Sequence, residues 1–344
     1  MKAAVIKELH CIEIMELPMP EISDYEVLCK LKYGATCTGT DMHLLTGCPW
    51  NVKYPLIFGH ESVGEVVELG RKARHYKTGD LVTRVGAPAY PEFGVSNGGG
   101  FGGFAEYGVG VDHWALKADN IQAQHKFNTR IHQVVPEFID PREATMFITL
   151  RETLSYIQRL GAKPGDNILI VGSGANAFAF ANHVEIMGLE NIVMLGSKGR
   201  EESAKKCGVT DFYDYRDREA PKKIREKYNG AHFDVIIDAV GESEQLRAVI
   251  PSLKNRGIIG IYGENEFRGA SINPFAAPGT FTFYNEGYAE HEAHFEIIDY
   301  FRENKVNISA YLDINKPYPL ENIGAAFEDI KNKRLRETKA LIKL

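Results

Sequence analysis

Nowhere does the chain approach the roughly 18 consecutive apolar residues that a helical membrane span requires, so a transmembrane reading is excluded. The opening segment Met1-Lys2-Ala3-Ala4-Val5-Ile6-Lys7 is too short and too charged for a secretory leader, and a cytoplasmic location is expected. Cysteine is scarce: Cys11, Cys29, Cys37, Cys48 and Cys207 are odd in number and scattered. Such a set does not suggest a disulfide framework. An excess of basic residues is also missing, with 40 Lys and Arg against 46 Asp and Glu for a net charge of −6. That balance argues against nucleic acid or an anionic membrane as the main partner, and a small molecule is expected instead. What is present is ordinary globular material, 44% hydrophobic and 25% charged with 33 glycines. At 344 residues the chain exceeds the size at which one core stops growing, and two domains are expected.

The first part is β-rich, with short apolar or alternating runs at Ala3–Ile6, Glu26–Lys32, Ser62–Leu69 and Leu81–Val85 between Gly, Pro and Asp turns. From about Ala162 the pattern changes to strand-like runs at Asn167–Val171, Asn191–Leu195 and Phe233–Asp238, with helical stretches reaching Met187 and covering Glu201–Cys207. Alternation of this kind implies βαβ units and a parallel sheet. Ile258–Tyr262 and Phe281–Tyr284 would extend that sheet. The glycine cluster Gly98-Gly99-Gly100-Phe101-Gly102-Gly103 stands apart, readable as a flexible rim or as a tightly packed turn.

Directly after the run Asn167–Val171 comes Gly172-Ser173-Gly174-Ala175-Asn176-Ala177, with Ala at the third glycine position. Glycines after a strand let the backbone approach a pyrophosphate, and the next helix offers unpaired N–H groups to it. Ala239 and Val240, after the third run, join Gly172, Ser173, Gly174, Ala175 and Asn176 as cofactor contacts. Choice between NAD and NADP is made at the end of the second strand, where a carboxylate would bond the ribose 2′-OH and repel a 2′-phosphate. That position, 24 residues after Gly172, is Gly196, followed by Ser197-Lys198-Gly199-Arg200. A small residue, a hydroxyl and two cations suit a phosphate dianion. NADP is the expected cofactor, a solvated basic turn being the alternative.

In the N-terminal part, Gly59-His60-Glu61-Ser62-Val63-Gly64, Lys77-Thr78-Gly79-Asp80-Leu81-Val82, Cys37-Thr38-Gly39-Thr40-Asp41 and Gly102-Gly103-Phe104-Ala105-Glu106-Tyr107 together resemble the signature of medium-chain dehydrogenases/reductases, specifically the zinc-dependent alcohol and polyol dehydrogenases. The resemblance runs along nearly the whole chain. It implies an α/β protein made of a GroES-like β-rich catalytic domain and a Rossmann domain with a doubly wound parallel sheet, the active-site cleft lying where they meet. The boundaries expected are 1–155 for the catalytic domain, 156–288 for the nucleotide domain and 289–344 for the return to the catalytic domain. Within that family a Gly-Ser-Arg turn with a tyrosine about twenty residues later accompanies NADP use, and Gly196-Ser197-Lys198 with Tyr215 looks similar. A homodimer or homotetramer is implied as well.

Oxidising an alcohol calls for a Lewis acid on its oxygen, and zinc with three protein ligands and one open position suits this. Cys37 and His60 match two ligand positions of the family, and Glu61 matches the acidic neighbour that approaches the metal from behind. Thr40 matches the hydroxyl that passes on the substrate proton, His43 is a next member of that relay, and Asp41 would hold His60 in place. Two departures stand out. Two residues, Thr38 and Gly39, separate Cys37 from Thr40-Asp41 where most of the family has one. The third ligand normally falls at about Ile148 or Thr149, neither a zinc ligand, and Glu152, one helical turn on, is the displaced candidate. With no cysteine between Pro49 and Lys206, one catalytic ion and no structural zinc are expected. His125, His132, His183, His291 and His294 are read as surface or packing residues, and Tyr284, Glu286, His291 and Glu292 as candidates to line a substrate pocket by fold analogy.

The expected activity is hydride transfer between NADP(H) and a secondary alcohol, polyol or sugar-like substrate. Two alternatives stand beside it: a zinc-free quinone or enone reductase of the same superfamily, and a non-catalytic cofactor-binding protein in a structural or sensory role.

Overall fold

A computed structural model of the chain describes residues 1–47, 50–121, 129–266, 269 and 271–344. It divides into two compact units, one comprising Met1–Ile148, His294–Phe301 and Tyr311–Leu344, the other Thr149–Ala293 and Arg302–Ala310. No helix among the described residues is long and apolar enough to cross a membrane.

The first unit is built on antiparallel strands: β1 (Lys2–Glu8), β2 (Cys11–Glu16), β3 (Glu26–Ala35), β4 (Leu56–Ile57), β5 (Glu61–Leu69), β6 (Leu81–Thr83), β7 (Tyr107–Val111) and β8 (Val134–Val135). β1 lies between β2 and β4 in a small sheet. In the larger sheet β3 pairs with β5, with β7 and with the C-terminal strand Leu341–Lys343. Alternating side chains of these strands bury Val27, Cys29, Leu31, Val66, Val82 and Val85 in one core. A second core joins Ile6, Leu44, Phe58 and Phe104 to Ile323 and Phe327 of the helix Ile323–Lys331.

The glycine cluster is a packed turn. Gly102 has φ +115°, and a Cβ there would lie 2.4 Å from the Ala87 carbonyl oxygen. Gly103 donates to the Gly59 carbonyl at 2.8 Å. Backbones this close admit no side chain, which explains the glycines.

The second unit holds a six-stranded sheet of β9 (Ile168–Val171), β10 (Ile192–Gly196), β11 (Asp211–Asp214), β12 (Phe233–Asp238), β13 (Leu253–Ile261) and β14 (Thr282–Tyr284) in the order β11-β10-β9-β12-β13-β14. All its pairings are parallel. Such a sheet is covered on both faces, and β9, with burial complete along Ile168–Val171, shows it. The strand order reverses between β9 and β12, and that switch point is where open α/β sheets bind ligands.

Candidate functional site

In the first unit, strand register brings together residues far apart in sequence. Ala35 of β3 pairs with Glu61 of β5, and Leu341 pairs with Ala35 from the other side. Cys37, two residues beyond β3, therefore meets His60 and Glu61 at the head of β5 and Lys339 just ahead of the C-terminal strand. Thr36 fixes this corner: its N–H donates to the Ala340 carbonyl at 3.0 Å and its Oγ1 accepts from the Ala340 N–H at 2.9 Å. Gly59 makes the turn into β5 with φ +83°, and a Cβ there would fall 2.5 Å from the Phe104 ring. Only glycine fits both demands.

One ligand atom each from Cys37, His60 and Glu61 lies within 4.8 Å of the others, and all three residues are buried. This is the sole such group of three among the described residues. Nε2 of His60 is 3.9 Å from Glu61 Oε1, while Nδ1 turns toward Asp41 Oδ1 at 3.7 Å. That arrangement leaves Nε2 for a metal and gives Nδ1 a carboxylate behind it, as metal-binding histidines commonly have. Asp41 Oδ2 accepts the Cys37 N–H at 2.8 Å, and the Asp41 N–H donates to the Cys37 carbonyl at 3.0 Å. Asp41 thus closes the five-residue loop that leads from Cys37 into the helix Thr40–Thr46.

Lys339, which the sequence did not single out, supplies the missing charge. Its Nζ donates to both oxygens of Glu61 at 2.6 Å and to the Thr36 carbonyl at 3.2 Å, fully buried. Burial alone would lower its pKa, but Glu61 and Cys37 outweigh this and raise it. Burial likewise works against a charged His60, yet Asp41 and Cys37 hold its pKa well above the usual range. Metal binding displaces protons from its ligands; with Cys37 then a thiolate and His60 neutral, Cys37, Asp41, Glu61 and Lys339 would sum to a charge of −2. A divalent cation balances that sum, and sulfur, nitrogen and carboxylate donors with a fourth position open match zinc. Thr40 and His43 lie three residues apart on the helix Thr40–Thr46, adjacent on its surface. The His43 ring stands edge-on to Trp50 at 6.0 Å, and His60 is 6.0 Å from Phe101.

Glu152 belongs to the second unit. It is buried on the helix Phe147–Leu160, where its carboxylate accepts from the Tyr262 hydroxyl at 3.4 Å. Ile148 and Thr149, at the family's third-ligand position, are buried too. His183 packs against Thr153, with Nε2 2.9 Å from Oγ1, and burial lowers its pKa to about 3. In the first unit His294 contacts the Val134 carbonyl at 3.0 Å and His132 accepts the Val111 N–H at 3.0 Å. Tyr284 donates to the Gly287 carbonyl at 2.9 Å, and Glu292 pairs with Arg159 at 2.8 Å. Cys48 and His125 lie outside the described residues.

At the switch point of the second unit, Gly172 turns the chain with φ +119°, its Cβ position 2.9 Å from Val240, while Ala239 donates to the Val171 carbonyl at 2.9 Å. Gly172, Ala239 and Val240 are thus neighbours. Gly174 caps the helix Ala175–Ile186 without a side-chain acceptor, so the first N–H groups, Ala175 and Asn176 among them, suit an anion. Ser173 Oγ accepts the Ser197 N–H at 2.9 Å. A Cβ on Gly196 would lie 2.5 Å from Ser173 Cβ, so the missing carboxylate at this position has a steric cause. Tyr215 donates to the Gly196 carbonyl at 3.0 Å, which sets it beside that turn. Lys198 is ion-paired with Glu201, and Arg200 ends the same turn. Arg216, overlooked in the sequence, donates to Ser197 Oγ at 3.3 Å and lies 4.7 Å over the Tyr215 ring.

Residues 23–120 match the alcohol dehydrogenase GroES-like domain, and residues 171–281 match the zinc-binding dehydrogenase domain. The sorbitol dehydrogenase of Bacillus subtilis is 27% identical over 277 residues, 77% of this chain and 76% of that one. The L-threonine 3-dehydrogenase of Chelativorans sp. is 28% identical over 252 residues, 72% of each chain. Among solved structures, the 2R,3R-butanediol dehydrogenase of Bacillus subtilis superposes with a TM-score of 0.79 at 22% identity, covering 100% of this chain and 99% of that one. A protein of Sinorhizobium meliloti 1021 solved bound to NADP gives 0.79 at 20% identity, with the same coverage.

Proposed function

The chain belongs to the zinc-type alcohol and polyol dehydrogenases of the medium-chain dehydrogenase/reductase superfamily, and from this premise we propose that it oxidises a secondary alcohol, polyol or sugar-like substrate reversibly, using NADP and one zinc ion. The observation that carries this reading is the buried Cys37-His60-Glu61 group, whose ligand atoms lie within 4.8 Å of one another. Zinc held there would supply Lewis-acid polarisation of the substrate oxygen, and NADP on the glycine turn would supply the hydride acceptor.

The chain's own residues do the rest. Cys37, His60 and Glu61 would hold the metal, Asp41 faces Nδ1 of the His60 ring at 3.7 Å, and Lys339 neutralises the buried Glu61 carboxylate. Thr40 takes the proton from the substrate hydroxyl and His43, adjacent on the same helix, passes it onward. In the second unit Gly172, Ser173, Gly174, Ala175, Asn176, Ala239 and Val240 cradle the pyrophosphate and nicotinamide half. Gly196, Ser197, Lys198, Arg200 and Tyr215 frame the adenosine 2′-phosphate. Gly196 supports the choice of NADP, because the Ser173 side chain occupies the space that an acidic residue would need. Glu152 is proposed as the alternative occupant of the third ligand place, Glu61 then standing behind the metal so that one position stays open for substrate, and a cytoplasmic homodimer or homotetramer as the working form.

Zinc content by elemental analysis, with a screen of butane-2,3-diol, sorbitol and simple secondary alcohols read at the nicotinamide absorbance, tests the reading. One zinc per chain and NADP+-linked turnover are expected. Turnover by a folded preparation that contains no zinc would instead favour the zinc-free reductase, toward which Ile148 and Thr149 point by lacking ligand atoms.

A further inference from the structure

We propose that Arg216 is the residue that grips the cofactor's 2′-phosphate and so sets the preference for NADP over NAD, an inference that rests on the NADP reading above. The register of β10 and β11 carries it. Gly196 pairs with Asp214, and the Tyr215 N–H bonds back to the Gly196 carbonyl at 3.0 Å. The two residues that follow β11 are therefore stationed against the end of β10, the place where the ribose 2′-substituent is read.

Arg216 is ordered there from two sides. Its guanidinium lies over the Tyr215 ring, 4.7 Å from the centroid, and Nη1 donates to Ser197 Oγ at 3.3 Å. A planar fork stacked on an aromatic face keeps its remaining N–H groups in one plane, the geometry that bonds phosphate oxygens in pairs. Ser197 Oγ accepts from Arg216, so its own O–H can donate to the same phosphate. Asp214 is the competing anion: its Oδ1 accepts the Arg216 backbone N–H at 3.2 Å and forms a loose ion pair with Nη1 at 3.8 Å, without a side-chain hydrogen bond. It shapes the turn and leaves the guanidinium edge open.

Lys198, the cation that the sequence offers first, is placed differently. Its Nζ is ion-paired with Glu201, which also binds Lys205 at 2.9 Å. Its charge is compensated locally, and its single ammonium lacks the paired donors.

Calorimetric titration of NADP+, NAD+ and adenosine 2′,5′-bisphosphate into the full chain and its R216A, R216K and K198A variants tests this. Arg216 is exposed at the surface, and a thermal melt will verify that each variant is folded. R216A is expected to weaken NADP+ and the bisphosphate by about 30-fold or more while NAD+ changes less than about twofold, the usual size for a lost bond to a charged group. R216K should recover part of the loss, and K198A should weaken NADP+ less than R216A does. An unchanged NADP+ to NAD+ ratio in R216A, or a larger loss in K198A, refutes the role of Arg216 while leaving the NADP reading intact. Tighter NAD+ binding by the unmodified chain refutes the cofactor reading itself.

Discussion

Replacing Gly196 by Asp, the textual route to an NAD enzyme, is expected to fail on steric grounds unless Ser173 is changed with it. The new Cβ would lie 2.5 Å from Ser173 Cβ, 2.9 Å from Ser173 Oγ and 3.1 Å from the Phe212 ring. Ordinary carbon contacts are about 3.5–4.0 Å, so the overlap is about an ångström, and overpacking of this kind costs about 1–3 kcal/mol. G196D should therefore melt several degrees lower, bind NADP+ at least about 100-fold more weakly through like-charge repulsion, and gain little for NAD+. S173G alone loses the 2.9 Å bond to Ser197, worth about 0.5–1.5 kcal/mol. The double variant S173G/G196D should be more stable than the sum of the two losses by about 1–2 kcal/mol and should bind NAD+ better than either single variant. Differential scanning calorimetry and titration of both cofactors complete the cycle. If G196D melts with the parent protein and the two substitutions add without coupling, the contact does not govern this position.

C37S and H60A should each reduce zinc per chain to near zero by elemental analysis, since two remaining protein donors hold the ion poorly, and turnover should fall at least about 1000-fold. K339M leaves the Glu61 carboxylate buried without its partner and should cost about 3–5 kcal/mol, read by denaturant unfolding, with E61Q in the same chain restoring a large part. His183 titrates near 3 when folded and has a reference value of 6.5. Below pH 6.5 the unfolded chain therefore binds a proton that the folded one refuses, so stability falls as pH drops toward 3, by up to about 1.4 kcal/mol per unit. H183N should reduce that slope by up to one proton in unfolding measured across this range, and an unchanged slope would show that His183 is not buried neutral.

The parts readable in the sequence were those whose chemistry is local. Strand, glycine turn and helix from Ile168 to Ile186 follow one another within a single βαβ unit, and β12, expected at Phe233–Asp238, occupies that range. Cys37, His60 and Glu61 were legible because each sits inside a short motif. Strands β2, β7 and β11 were not foreseen. Asp211-Phe-Tyr-Asp214 carries too little apolar sequence to announce an edge strand, and Tyr107-Gly-Val-Gly-Val111 contains two glycines that weaken the pattern. Lys339 and Arg216 were hidden for a common reason. Each acquires its meaning from strand register, Lys339 through Leu341 against Ala35 and Arg216 through Gly196 against Asp214, and register is not written in the residues themselves. Gly196 was read as an absent acid, whereas its reason is the Ser173 side chain beside it.

The ion pair between Lys339 and Glu61 spans 278 residues of sequence, and this separation orders events during synthesis on the ribosome. Cys37, His60 and Glu61 emerge early, as a cluster whose negative charges have no buried cation to offset them. Until the segment carrying Lys339 and Leu341–Lys343 has been made and has docked along β3, that corner cannot close into a dry pocket. A nascent chain would therefore offer the three proposed ligands to metal only loosely and in water, where exchange is fast. On the zinc reading proposed above, tight retention of the ion would require the segment that carries Lys339, so that chains stalled before Lys339 would be told apart from longer ones by how readily a chelator strips them.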